Sequence, residues 1–271
     1  MNVRDVTIKI CGVRTPEAAL AAARAGADLI GLILVPSSRR YVGGVTEARA
    51  IVQAIRQAYP TPIVPGGARN QAIPVGWHAL QSRQFREDRR AAGLGPAIVG
   101  VFQDMEAGQM AQWTSAIGLD CIQLHGSEPA GMESSLPRPV IRVFHVDVPG
   151  VGKVSEDGEE ERMVEEVRLA ANLQVEGHWA LALLDARVGQ AAGGQGKVFD
   201  WKIASRLAER APNTPFILAG GLTISGVEEA IRQIRPWGVD VSSGVEGPDG
   251  RQDLGKITSF IQAARRAAES S

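Results

Sequence analysis

A thiol and a carboxyl each close an apolar run in this chain. Cys11 ends Val6-Thr7-Ile8-Lys9-Ile10-Cys11, just ahead of Gly12 and a helical pattern, and Asp185 ends Ala180-Leu181-Ala182-Leu183-Leu184-Asp185. Two such groups at the C-terminal tips of buried parallel strands would meet over the mouth of a closed barrel, where one can withdraw a proton and the other deliver one. A buried strand cysteine is by default a small hydrophobe, and Cys121, inside its strand pattern, is read that way. Cys11 differs in standing at the tip.

Further residues suit an anionic ligand. Glycine clusters follow the late strand patterns: Gly193-Gly194-Gln195-Gly196-Lys197, Gly220-Gly221 and Ser243-Gly244. Glycine lets backbone N–H groups approach an anion closely, and a following helix start adds a favourable partial charge. One Gly-Gly is equally a plain turn, whereas two such turns after the last two strands of an eightfold pattern point to a phosphate site. Arg39 and Arg40 overhang the same mouth after the second strand. A guanidinium can grip a planar carboxylate through two bonds, although Arg39 reads as a solvent-exposed loop residue.

The elements that must position these groups are short β-branched runs alternating with amphipathic stretches. Strands are expected at Thr7–Cys11, Leu29–Leu34, Ile98–Phe102, Cys121–Leu124, Val140–Phe144, Ala180–Asp185, Phe216–Ala219 and Val239–Ser242. Continuous apolar runs of this kind suit parallel strands buried on both faces. Helices are expected at Pro16–Ala25, Val45–Ala58, Glu106–Ala116, Glu160–Leu173, Trp201–Arg210, Ile224–Ile234 and Leu254–Ala268, with a short one near Glu128–Leu136. Thr15 ahead of Pro16 and Thr46 ahead of Glu47 supply capping chemistry. Eight alternations favour an α/β fold of the (β/α)8 TIM-barrel type, eight parallel strands in one domain over residues 1–271.

Two segments break the rhythm. Residues 60–96 are expected to form a loop insertion on the N-terminal face, away from the chemistry. Glu156-Asp157-Gly158-Glu159-Glu160-Glu161, which follows a strand and so would rim the active face, reads as a solvated loop and helix N-terminus. The net charge of −1 gives no reason to expect nucleic acid or an acidic membrane surface. There is no apolar run of about 18 residues and no signal-peptide pattern. Two distant cysteines suggest neither a disulfide framework nor a zinc site, so a reducing, cytoplasmic setting is expected.

Taken in order, these motifs resemble the phosphoribosylanthranilate isomerase family of tryptophan biosynthesis along nearly the whole chain. The matching stretches are Lys9-Ile10-Cys11-Gly12, Ala25-Gly26-Ala27-Asp28, Gln123-Leu124-His125-Gly126 with Glu128, Leu184-Asp185, and Gly193–Lys197 with Phe199-Asp200-Trp201. Ala219-Gly220-Gly221-Leu222 and Asp240-Val241-Ser242-Ser243-Gly244-Val245-Glu246 complete the set. The insertion resembles the fungal type, in which this module closes a fused multi-enzyme chain; the protein is then a free enzyme or one domain of such a chain.

The resemblance implies an Amadori rearrangement of a small phosphorylated aminosugar, N-(5-phosphoribosyl)anthranilate, with no metal or organic cofactor. It implies that Asp185 is the general acid and Cys11 the general base, and that Arg40 holds the anthranilate carboxylate. Gly220, Gly221, Ser243 and Gly244 would cradle the phosphate under a covering loop that includes Gly194 and Gly196. His125 is expected as a substrate contact, and Asp240 to orient sugar hydroxyls. Departures from the family pattern are Leu222-Thr223-Ile224-Ser225-Gly226-Val227, where an Asn/Pro-rich helix start is usual, Gln195 in the glycine loop, and Ala186 after the acid.

The chemistry sets a physical demand. An unperturbed aspartic acid, pKa ~4, is protonated about one part in a thousand at neutral pH, and an unperturbed cysteine is thiolate only a few per cent of the time. Burial of Asp185 beside Leu181 and Leu183 is expected to favour its acid form, and Lys9, on the face of Cys11, to favour the thiolate. Two other readings remain open here. A histidine-pathway aldose–ketose isomerase would share the barrel but use two aspartates, and a non-catalytic scaffold would need neither Cys11 nor Asp185.

Overall fold

The computed structural model describes residues 6–59, 94–148, 165, 174–175, 178–188, 202–210 and 215–269. Nine strands are present among them: β1 Thr7–Cys11, β2 Leu29–Ile33, β3 Ala97–Phe102, β4 Cys121–Leu124, β5 Val140–Val148, β6 Gln174–Val175, β7 His178–Val188, β8 Phe216–Ala219 and β9 Gly238–Val241. The described helices are α1 Pro16–Ala25, α2 Val45–Ala58, α3 Ala107–Ile117, α4 Lys202–Arg210, α5 Val227–Ile234 and α6 Leu254–Glu269. The sheet runs β5-β4-β3-β2-β1-β9-β8-β7, and a parallel β5–β7 pairing closes it into an eight-stranded barrel. β6 stands outside the ring as a short antiparallel extension of β7.

Strand alternation divides the interior. Ile8, Ile10, Ile30, Leu32, Ile98 and Val239 point outward and pack with α1, α2, α5 and α6 in one large cluster. Leu29, Val99, Cys121, Ile141, Val143, Leu181, Leu183, Ile217 and Ala219 point inward and fill the lumen. Each fully buried side chain of this size contributes roughly 1.5–3 kcal/mol, so the ring is a packed core rather than a pore. Cys121 lies in the lumen as the small hydrophobe expected.

Local expectations fare unevenly. The Thr15 side chain accepts from the Ala18 N–H and Gly26 ends α1 in a left-handed conformation. The cap at Thr46 is corrected: α2 begins at Val45 behind Gly44, and no side chain caps it. The expected helix near Glu128–Leu136 is a single 3-10 turn, Met132–Ser135, and α5 starts at Val227 rather than Ile224. β5 and β7 run longer than their apolar cores, a point that matters for the site. The helix expected at Glu160–Leu173, the 60–96 insertion up to residue 93, the acidic run and the glycine loop with Gly194 and Gly196 lie outside the described residues. No described helix is long and apolar enough to cross a membrane.

Candidate active site

The C-terminal strand ends surround a pocket of about 510 Å³. Its lining includes Cys11, Arg40, His125, Asp185, Gly220, Gly221, Asp240 and Ser243, contributed by segments that span more than 230 residues of sequence. Gln103, Gln123 and Ser242 join them; the last two stand in the matching stretches, but no site role is expected of any of the three from sequence. Gly244 is not in the lining. It stands behind Ser243 against the Leu222 carbonyl, an approach that leaves no room for a Cβ.

The first side of the pocket is β1 with β9. Inward alternation along β1 stacks Thr7, Lys9 and Cys11, and the register sets Lys9 opposite Asp240. Lys9 is fully buried, and its Nζ donates to Asp240 Oδ1 at 3.1 Å. Burial pulls the Lys9 ammonium down, but the charge of Asp240 and the neighbouring Cys11 outweigh it, so its pKa lies above the ordinary value. Burial likewise pushes Asp240 above the usual carboxylate range, against the pull of Lys9 and with the charge of Asp185 acting in the same upward sense.

Cys11 sits above this pair. Burial raises its thiol, and Lys9 opposes that rise without cancelling it. The expectation that Lys9 favours the thiolate is right in sign, but desolvation is the larger effect. Gly31 on β2 makes the arrangement possible, because a Cβ there would meet Cys11 Sγ at 2.8 Å and Lys9 Nζ at 3.2 Å. From the far end of the chain, Gln252 Nε2 donates to the Cys11 carbonyl at 2.9 Å and fixes the strand tip.

The second side is formed by β4, β5 and β7. Asp185 retains 21% side-chain exposure at the rim. Its neighbours are imidazoles rather than the hydrocarbon expected from Leu181 and Leu183, which lie below it in the lumen core. His145 Nδ1 is 3.6 Å and His125 Nε2 3.8 Å from Asp185 Oδ2. The two rings meet edge to face, centroids 5.0 Å apart. His145 was missed from sequence because β5 was expected to end at Phe144. Continuing the alternation from Ile141 and Val143 would have turned His145 inward, beside Asp185 in the β5–β7 register.

Arg40 and the glycine turns complete the rim. Both Nε and Nη2 of Arg40 donate to the Glu246 carboxylate, the latter at 3.2 Å, and Arg39, largely exposed, adds a bond to the same group at 3.1 Å. Gly220 and Gly221 both take left-handed conformations, and Ser243–Val245 forms a 3-10 turn. Among the described residues, no hydrogen bond occupies the N–H of Gly221, Ser243 or Gly244. The departure before α5 has a visible consequence: Gly226 gives no side-chain cap, and Thr223 Oγ1 instead accepts from the Gly226 N–H at 3.1 Å.

A closed eight-stranded parallel barrel with a thiol, carboxylates and an imidazole lining a pocket at its C-terminal mouth defines a (β/α)8-barrel enzyme. A family model described as N-(5'phosphoribosyl)anthranilate (PRA) isomerase matches residues 44–263. The chain is 37% identical to the N-(5'-phosphoribosyl)anthranilate isomerase of Roseiflexus sp. (strain RS-1), covering 97% of this chain and all of that one. It is 39% identical to a multifunctional tryptophan biosynthesis protein of Phycomyces blakesleeanus, over 97% of this chain but only 33% of the relative's length. Among solved structures, the phosphoribosyl anthranilate isomerase of Thermotoga maritima superposes with a TM-score of 0.66 at 28% identity, covering 97% of this chain and 100% of that one. The chain belongs to the phosphoribosylanthranilate isomerase family, enzymes of tryptophan biosynthesis.

Proposed function

We propose that this chain converts N-(5-phosphoribosyl)anthranilate to 1-(2-carboxyphenylamino)-1-deoxyribulose 5-phosphate, with Asp185 as general acid and Cys11 as general base. The observation that carries the reading is that both groups line one pocket with the glycine turns. Asp185 gives its proton to the ring oxygen as the C1′–O bond breaks, and the anilino nitrogen lone pair moves in to form an iminium. The Cys11 thiolate then takes the C2′ proton, and those electrons return to nitrogen to leave an enolamine that tautomerises to the ketone. The positive charge on the iminium favours the thiolate at the moment it is needed, offsetting a resting pKa raised by burial.

The remaining contacts follow from available donors. Arg40 has committed Nε and Nη2 to Glu246, so its Nη1 is the group left for the anthranilate carboxylate. The N–H groups of Gly221, Ser243 and Gly244 suit the phosphate, with Gly194 and Gly196 in the covering loop. His125 borders the acid, and Asp240, besides holding Lys9, turns toward the sugar hydroxyls. Residues 1–271 act as one barrel domain, and the chain spans about a third of the length of the multifunctional relatives, which fits a module of a fused cytoplasmic tryptophan-pathway enzyme.

The test is the fluorescence decay of freshly generated phosphoribosylanthranilate on adding the protein, with Cys11→Ser and Asp185→Asn beside it. Turnover abolished by both substitutions is expected. Turnover that survives either one would remove that residue from the mechanism.

A further inference from the structure

We propose that His125, His145 and Asp185 form a binding site for a divalent transition-metal ion, and that the ion competes with substrate. The competition, though not the site, rests on the reading of Asp185 as the acid. Three adjacent strands, β4, β5 and β7, deliver the ligands, and the two ring nitrogens and the carboxylate oxygen lie within 4.8 Å of one another. A tetrahedral ion with bonds near 2.0–2.1 Å holds its ligand atoms about 3.3–3.5 Å apart. The 3.6 Å and 3.8 Å separations of His145 and His125 from Asp185 are within a small side-chain adjustment of that.

The surrounding groups already set the rings for coordination. His145 Nε2 is 3.1 Å from the His125 carbonyl oxygen, to which it can only donate. Its lone pair is therefore on Nδ1, the atom facing Asp185. Beside His125, Gln123 Nε2 stands 3.4 Å from Nδ1, and the Gln123 Oε1 is buried with no hydrogen-bond partner among the described residues. Rotating that amide by half a turn lets Oε1 accept from His125 Nδ1–H, which puts the second lone pair on Nε2, also toward Asp185. One rotation thus satisfies an orphaned buried oxygen and completes a carbonyl-oriented imidazole of the kind that metal ligands use. All three ligands are partly exposed, and His125 and Asp185 line the pocket, which leaves an entry path and room for water ligands. Two imidazoles and one carboxylate suit zinc, cobalt, nickel or ferrous iron rather than magnesium or calcium.

Cobalt(II) serves as the probe, titrated into the full chain with visible absorption as the readout. Ligand-field bands without a thiolate-to-cobalt charge-transfer band are expected, because Cys11 is not a ligand. His145→Ala and Gln123→Leu, each checked for folding by circular dichroism, should weaken binding by about tenfold or more, while Cys11→Ser leaves it within about twofold. No bands at millimolar cobalt, a charge-transfer band lost in Cys11→Ser, or equal affinity in folded His145→Ala would each overturn the site. In the isomerase assay cobalt should raise the apparent KM without lowering kcat, and an unchanged KM would overturn the competition. Cobalt bands in a chain with no isomerase activity would overturn the functional reading and leave the metal site standing.

Discussion

On the β1–β9 side of the mouth, Lys9, Asp240 and Cys11 are buried together, and the ionic charges there are compensated by one another. On the β4–β5–β7 side, Asp185, His125 and His145 are a fifth to a third exposed and lie 3.6–3.8 Å apart. The proposed base, Cys11, thus sits in a dry setting and the proposed acid, Asp185, in a wetter one. A buried group depends on its partner, because removing one charge strands the other. An exposed group is screened by water and tolerates changes around it. The same pocket therefore contains one side where stability and chemistry are tied together and one where they separate.

The largest effects should appear in turnover. Asp185→Asn and Cys11→Ser are each expected to lower kcat by about 10²–10⁴-fold, yet only substitutions on the buried side should also cost stability, read as denaturation midpoints. Equal destabilisation by Asp185→Asn and Asp240→Asn would break the comparison. Asp240→Asn, which leaves the Lys9 ammonium without its carboxylate, should cost about 3–5 kcal/mol in urea unfolding. Adding Lys9→Met to it should recover a large part of that loss.

Thiol titration sharpens the contrast further. Lys9→Met, made together with Asp240→Asn so that no charge is stranded, should raise the Cys11 pKa further, since the ammonium opposes the rise that burial causes. An unchanged value would remove Lys9 from any role at the thiol.

The smallest effect is on the pH dependence of melting. Cys11 holds its proton more tightly folded than unfolded, so the native state carries the extra proton between the ordinary value of 9.0 and its raised folded value. Stability is therefore complete below about pH 9 and falls as pH rises through that window. Lys9, raised above 10.5, extends the fall in the same direction. Cys11→Ala should delay the onset toward the Lys9 range, and a melting temperature in the wild-type chain that is flat from pH 8 to 10 would contradict the raised thiol.

Sequence carried the ring and Cys11 at its strand tip because both obey local rules: apolar runs fix strands, and alternation fixes which side chains turn inward. Lys9 was placed beside Cys11 by that rule alone. Asp185, expected to end its strand, instead lies inside β7, which runs on to Val188. What local rules could not supply were pairings made across the barrel. Asp240 as the partner of Lys9, Glu246 as the anchor of Arg40 and Gln252 as the clamp on Cys11 all join residues more than 200 positions apart. His145 was lost differently, since Phe144 marked the end of the apolar run while the β5 ladder continued to Val148 under its pairing with β7. The Thr46 cap fails because Gly44 already stands at the N-cap of the helix that begins at Val45, which leaves the threonine inside the first turn.

Lys9 and Asp240 also stand 231 residues apart in sequence, on the first and last strands of the ring. Their contact is the seam at which the cylinder is sewn shut, and Arg265 reinforces it by donating to the Val6 and Gly26 carbonyls and to Asp28. Lys9 reaches the thiol along its own strand, but the carboxylate that compensates that ammonium arrives only when the seam closes, a step that carries the loop-closure cost of nearly the whole chain. A nascent or clipped chain lacking the last strand would hold Cys11 without the surroundings that tune it. With Cys11 as the proposed base, competence would in this sense be a signature of the closed ring, absent from a chain whose last strand has yet to arrive.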